Sequence, residues 1–97
     1  MTKDDRFAQL LQLAIREAER ALAHGRIPIG AVLVDHDDKV LGTGIPGADE
    51  DDAFLMHAET EAIRAAGQLD DYARTTLVTT LTPCWYCAGL IRYLGIG

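Results

Sequence analysis

The sequence predicts an α/β protein, a three-layer α/β/α arrangement around a central mixed β-sheet. Three observations carry that prediction. Apolar residues recur at helical spacing over a long N-terminal stretch, whereas three other runs are short, β-branched and bounded by turn residues. Helix-like and strand-like stretches alternate in the order helix, hairpin, helix, strand, helix. Apolar residues make up 48% of the 97, enough for one core in a single domain, residues 1–97.

Thr2 to His24 reads as the first helix, with Thr2 and Asp5 placed for a capping box. Phe7, Leu10, Leu11, Ala14, Ala18 and Leu22 form its apolar stripe, with Arg16, Glu17 and Arg20 off it. Gly25 suits the position just past a helix end, and Pro28 forbids continuation. His24 is expected to act as a cation at the helix C-terminus.

Ile29 to Val34 is an apolar run too short for a helix and reads as a buried strand. Gly30 within it permits close approach of a ligand or of another backbone. Asp35-His36-Asp37-Asp38 is a turn with His36 solvated, and Lys39 to Thr43 returns as the second strand. Gly44 to Leu55 is a loop whose Asp49-Glu50-Asp51-Asp52 run is solvated. If that run flanks a site entrance, it repels polyphosphate and favours a small uncharged molecule.

His57 to Ala66 is the second helix, stopped by Gly67. Leu69 to Arg74 is a turn region, and Thr76 to Leu81 is the third strand. Thr82-Pro83 breaks it, and Cys84 to Tyr93 forms a third helix capped by Gly95. Strand three is expected parallel to a hairpin strand, through a right-handed crossover over the second helix. That topology brings the starts of helices two and three to one end of the sheet.

The net charge of −6 argues against a phosphate-neutralising surface and so against non-specific nucleic-acid binding. No apolar run approaches the roughly 18 residues of a membrane span, and the charged N-terminal stretch has no signal-peptide core. A cytoplasmic location is therefore expected, where thiols stay reduced. Two cysteines there favour metal or redox chemistry over a disulfide.

Cys84 and Cys87 are the only cysteines, and at the start of a helix residues three apart share a face. Both sulfurs can then reach one metal, and the aligned N–H groups favour thiolate. His57 offers an imidazole, and Glu59, two residues on, a carboxylate for moving protons. In a helix interior those two would not face each other, so the pair makes sense only in a first turn. One His and two Cys leave a tetrahedral zinc one position short, the mark of a catalytic site. Two other classes share some of these residues. One is a structural zinc module with His24 or His36 as fourth ligand. The other is a thioredoxin-like redox module, which explains neither His57 nor Glu59.

His57-Ala58-Glu59 with Pro83-Cys84-Trp85-Tyr86-Cys87 downstream, Cys84 standing 27 positions after His57, matches the zinc deaminase signature. With Ile27-Pro28-Ile29-Gly30-Ala31, Ala62 and Thr79 to Ala88, it resembles the cytidine/cytosine deaminase-like family. The likeness is to the branch of cytosine, guanine and tRNA adenosine deaminases. The resemblance implies Zn²⁺ held by His57, Cys84 and Cys87, with Glu59 carrying protons in a hydrolytic deamination that releases ammonia. It implies a small-molecule heterocyclic substrate near Ala58, Ile29 and position 46, and a homodimer. The alternative within the branch is a tRNA adenosine deaminase. Family members have five strands, and this chain supplies three, so a fragment of a longer domain, lacking its C-terminal part, is expected.

One departure from the family bears on substrate. Cytosine and tRNA adenosine deaminases carry a base-binding Asn two residues past the glycine that ends strand two. The matching residue here is Pro46, which has no side-chain donor or acceptor. Isocytosine, guanine or another amino-heterocycle is therefore as open as cytosine. Trp85 and Tyr86 either line the pocket or cover the metal.

Overall fold

A computed structural model describes residues 2–46, 57–69, 71–80, 91–92 and 94–97. Its elements are α1 (Lys3–Ala23), β1 (Ala31–Val34), β2 (Val40–Gly44), α2 (Ala58–Ala66) and β3 (Thr76–Thr79), with a 3₁₀ turn at Tyr72–Arg74. Ile91, Arg92 and Leu94 are also helical. The acidic run, Leu81, the cysteine pair and most of the expected third helix lie outside the described residues.

Local chemistry sets the helix ends. Thr2 Oγ1 accepts the Asp5 N–H at 3.1 Å, and Asp5 Oδ2 accepts the Thr2 N–H at 3.3 Å, a reciprocal capping box. At the far end the Arg26 N–H reaches the Ala21 carbonyl (2.9 Å) and the Gly25 N–H the Leu22 carbonyl (3.0 Å). Gly25 sits at φ 72°, so α1 closes in a Schellman motif. The same pairing recurs at Gly95, φ 73°, where the Gly95 and Ile96 N–H groups turn back to Arg92 and Ile91.

The sheet order is β2-β1-β3, and both neighbours pair with β1 antiparallel. The α/β class and the layering stand, and β3 runs parallel to one hairpin strand, β2, as expected; the sheet itself is not mixed, because β1 lies between those two and every pairing among the described residues is antiparallel. The connection through α2 passes over β1 and lands on its other edge. β3 then runs in the same direction as β2 without touching it. β1, buried at every position, is the central strand. Leu41 is the extra residue where the β1–β2 register shifts.

Alternation along β1 sorts the two faces. Val32 and Val34, with Val78 of β3, pack against Leu10 and Ala14 of α1. Ala31, with Ala58 and Ala62 of α2, forms a second cluster, and Ile29 and Leu77 pack on it. The buried line of α1 is Leu10, Ala14, Ala18 and Ala21. Phe7 and Leu22, expected on that line, are 61% and 63% exposed. Leu22 lies beside the row that drifts through Ala18 to Ala21, and Phe7 overhangs the outer edge of β3 in a shallow hollow.

Glycines let both helices sit low on the sheet. A Cβ on Gly30 would strike the Ala14 carbonyl and lie 2.5 Å from the Ala18 nitrogen, so the close neighbour anticipated there is the backbone of α1. Gly42 and Gly44 do the same for α2, against the Ala62 and Ala58 carbonyls respectively.

Candidate active site

The register sets which end of the sheet carries chemistry. Ala31, at the start of β1, pairs with Gly44 at the end of β2 and Thr79 at the end of β3. Ile29, Pro46 and Thr80 therefore flank the sheet at this one end. The start of α2 lies over Gly44, at the Ala58 carbonyl, and so arrives there too.

His57 is the N-cap of α2, extended at φ −81° and ψ 165°, and its side chain does not cap its own helix. It is half-buried. Glu59 falls in the first turn, where a carboxylate is favoured by the unpaired N–H groups. Its residue exposure is only 5%, and its Oε1 accepts a hydrogen bond from Thr79 Oγ1 at 3.2 Å. The buried Ala58 lies between them, at the first helical position, whose N–H no helix satisfies internally. Ile29 rests on the Ala31/Ala58/Ala62 cluster, part-exposed. Pro46 is half-buried, two residues past the point where β2 abuts α2.

Of the seven residues singled out from sequence, these five stand at one end of the sheet. Cys84 and Cys87 lie outside the described residues. The strand that leads to them is pinned: the Thr80 N–H donates to the Gly30 carbonyl (3.0 Å), and the Gly30 N–H to Thr80 Oγ1 (3.1 Å). Thr79 and Thr80 were not singled out as site residues. For Thr79 strand alternation is the available signal, since it turns Thr79, with Leu77, toward the α2 face.

The other histidines are elsewhere. His24 caps the exposed end of α1, its Nδ1 2.8 Å from the Arg20 carbonyl oxygen. His36 is in the hairpin turn two residues past Val34, which itself lies about 10 Å from Ala31 at strand rise. It cannot be a fourth ligand to an ion at His57. At that tip Asp35, His36 and Asp37 bring ligand atoms within 4.8 Å of one another. Asp35 Oδ1 there accepts the Asp37 and Lys39 N–H groups at 2.8 and 2.9 Å, which is what a tight Asx turn requires.

Residues 2–97 match the family described as the cytidine and deoxycytidylate deaminase zinc-binding region. The chain belongs to that family. It is 37% identical over 97 residues to a cytosine deaminase of Candida albicans, covering 98% of this chain and 63% of that protein. It is 39% identical over 84 residues to a tRNA-specific adenosine deaminase of Streptococcus pyogenes, covering 84% of this chain and 52% of that one. The chain thus spans less than two thirds of these relatives. Among solved structures, guanine deaminase from Bacillus subtilis superimposes with a TM-score of 0.78 at 28% identity, over 97% of this chain and 59% of that one. A structure from work on A-to-I editing by tRNA:A34 deaminases gives 0.79 at 34%, over 92% and 70%.

Zinc is the cofactor of this family region. The donor set fits it: an imidazole at a helix start and two thiols in a Cys-x-x-Cys pair are borderline-soft ligands of the kind zinc takes. Among the described residues, no helix is long and apolar enough to cross a membrane.

Proposed function

We propose that the protein is a zinc-dependent hydrolytic deaminase of an amino-substituted nucleobase or related heterocycle, cytosine-, isocytosine- or guanine-like. The observation that carries this is the buried Glu59 in the first turn of α2, two residues from the half-buried His57, at the sheet end from which β3 leads in sequence to Cys84 and Cys87.

In this reading His57, Cys84 and Cys87 hold the metal. A zinc ion held there supplies the Lewis acidity that makes water a nucleophile at neutral pH. Glu59 is the proton carrier. Its carboxylate carries one proton of the attacking water to the ring nitrogen, and then the remaining hydroxyl proton to the amine, whose C–N bond breaks to release ammonia. The N–H groups of Ala58 and Cys84 hold polar atoms of the substrate. Ile29 offers an apolar surface to a flat ring. Pro46 contributes shape and its carbonyl only, which sets no demand for the amide-reading edge of cytosine. Exclusion of bulk water from a carboxylate this buried keeps the proton between base and substrate. We further propose a single-domain contribution to a homodimer acting in the cytoplasm, where reduced thiols remain available to the metal.

Ammonia release from the whole protein, screened against free bases, nucleosides and related amino-heterocycles, tests the proposal. Release from a free base supports it. Release from none, with zinc bound, refutes it. Conversion confined to adenosine in tRNA would instead favour the second reading, a tRNA adenosine deaminase, which the Streptococcus relative supports.

A further inference from the structure

We propose that Thr79 is a positioning residue for the proton carrier: its hydroxyl fixes the orientation of the Glu59 carboxylate. The inference rests on the deaminase reading above and adds a residue to it. Thr79 Oγ1 donates to Glu59 Oε1 across 3.2 Å, from the last residue of β3 to the first turn of α2, twenty positions apart in sequence.

Three features make this bond a constraint on geometry. The last torsion of a Glu side chain is a broad, two-fold well, so an unconstrained carboxylate has no fixed plane. Glu59 is 5% exposed, so water offers it little alternative hydrogen bonding, and bonds made in such surroundings count for more than at the surface. The donor itself is held. Thr79 pairs with the fully buried Ala31, and the next residue is fastened to Gly30 by two hydrogen bonds. The γ-hydroxyl therefore arrives from a rigid strand, as supporting groups for a reacting side chain must. One oxygen tethered in this way leaves the carboxylate its remaining lone pairs for the proton it moves, in a plane that is the same at every turnover.

The alternative is that Thr79 merely fills space between β3 and α2. Thr79→Val keeps the branched shape and the strand preference and removes only the hydroxyl. Thr79→Ser keeps the hydroxyl and removes a methyl. We would compare both with the wild type on the free base it deaminates fastest, and measure bound zinc and the thermal midpoint of each.

The expected result for Thr79→Val is a kcat about tenfold to a hundredfold lower with KM within about twofold, the signature of an interaction needed in the transition state and not for binding. Thr79→Ser should retain most of the wild-type kcat. Zinc content should match the wild type in both, while the thermal midpoint should fall in Thr79→Val, which leaves the buried carboxylate one donor short, and stay near the wild type in Thr79→Ser. A Thr79→Val enzyme with wild-type kcat, a Thr79→Ser enzyme as slow as Thr79→Val, or loss of zinc in Thr79→Val would each overturn the positioning role while leaving the deaminase reading intact. A wild type that releases no ammonia from any base overturns that reading and this role with it.

Discussion

Gly44→Ala is the substitution that most directly tests how the site is built. The new Cβ would lie 2.5 Å from the Ala62 nitrogen and 2.8 Å from Glu61 Cβ, and nearer still to the Ala58 carbonyl oxygen. Ordinary contact begins near 3.4 Å, so α2 must rise by about 0.9 Å at Ala62 and further at Ala58. The obstacle is helix backbone, which cannot rotate out of the way as a side-chain tip would. Overpacking of this kind costs about 1–3 kcal/mol, and a backbone clash belongs at the top of that range. Gly25→Ala is the control: it has open space around it, and its φ of 72° costs a non-glycine residue about 1–2 kcal/mol. Urea unfolding should show Gly44→Ala the less stable of the two. The functional difference should be larger, because the first turn of α2 carries His57 and Glu59. A displacement near 1 Å at a reacting group costs about a hundredfold in rate. Ammonia release per folded molecule should fall by that order in Gly44→Ala and stay near wild type in Gly25→Ala. A Gly44→Ala protein as stable and as fast as Gly25→Ala would show that α2 does not rest on β2 in this way.

Three further outcomes are expected. Glu59→Gln should bind zinc at wild-type stoichiometry yet release ammonia about two to four orders of magnitude more slowly; retained turnover removes Glu59 from the proton path. Cys84→Ala should lose zinc in metal analysis and melt at lower temperature, since metal binding contributes to folding; full zinc occupancy would refute the ligand assignment. At the hairpin tip the Lys39 and Asp37 N–H groups hold the Asp35 carboxyl below its ordinary range, the Lys39 bond contributing most. A lowered folded pKa gives stability that is complete above the ordinary carboxylate value, about 4, and is lost as pH falls through the folded value. Below pH 5 the thermal midpoint should therefore fall more steeply in the wild type than in Asp35→Asn, and parallel curves would contradict the assignment.

The parts of this fold that could be read from sequence are those fixed within a few residues. Thr2 and Asp5, three apart, cap α1 as their spacing requires. Gly25, Gly67 and Gly95 end helices at positive φ, each where a helical pattern stops. A His and a Glu two apart share a site only in a first turn, which puts His57 at a helix start, and it is the N-cap of α2. Strand neighbours are a different matter. Whether the crossover stops beside β2 or passes over β1 depends on which edge of β1 is open. That is a property of the assembled sheet and not of any local segment. The fully buried run Ala31–Val34 did carry a hint, since a strand apolar at every position belongs in the middle. The Thr79–Glu59 bond was illegible for the same reason: it joins two elements whose relative height is set by glycines on a third.

That third element gives the site its logic, and a double-mutant cycle can examine it. α2 lies over β2, yet Glu59 bonds to β3, with β1 between them. Neighbouring strands are about 4.8 Å apart, so the carboxylate serves a strand nearly 10 Å from the one beneath its helix. A Glu side chain covers that span only if the helix sits close to the sheet and nothing bulky stands in its way. Gly42 and Gly44 supply the closeness, and Ala31, Ala58 and Ala62 keep the path narrow but clear. If α2 rises by about 0.9 Å in Gly44→Ala, a hydrogen bond already at 3.2 Å stretches past useful length. Thr79→Val should then cost nothing further in that background. The two substitutions should be strongly non-additive in kcat, the double variant being about as slow as Gly44→Ala alone. Full additivity would mean that the height of α2 and the Thr79 hydroxyl act on the reaction independently, and the glycines would lose their place in the catalytic argument.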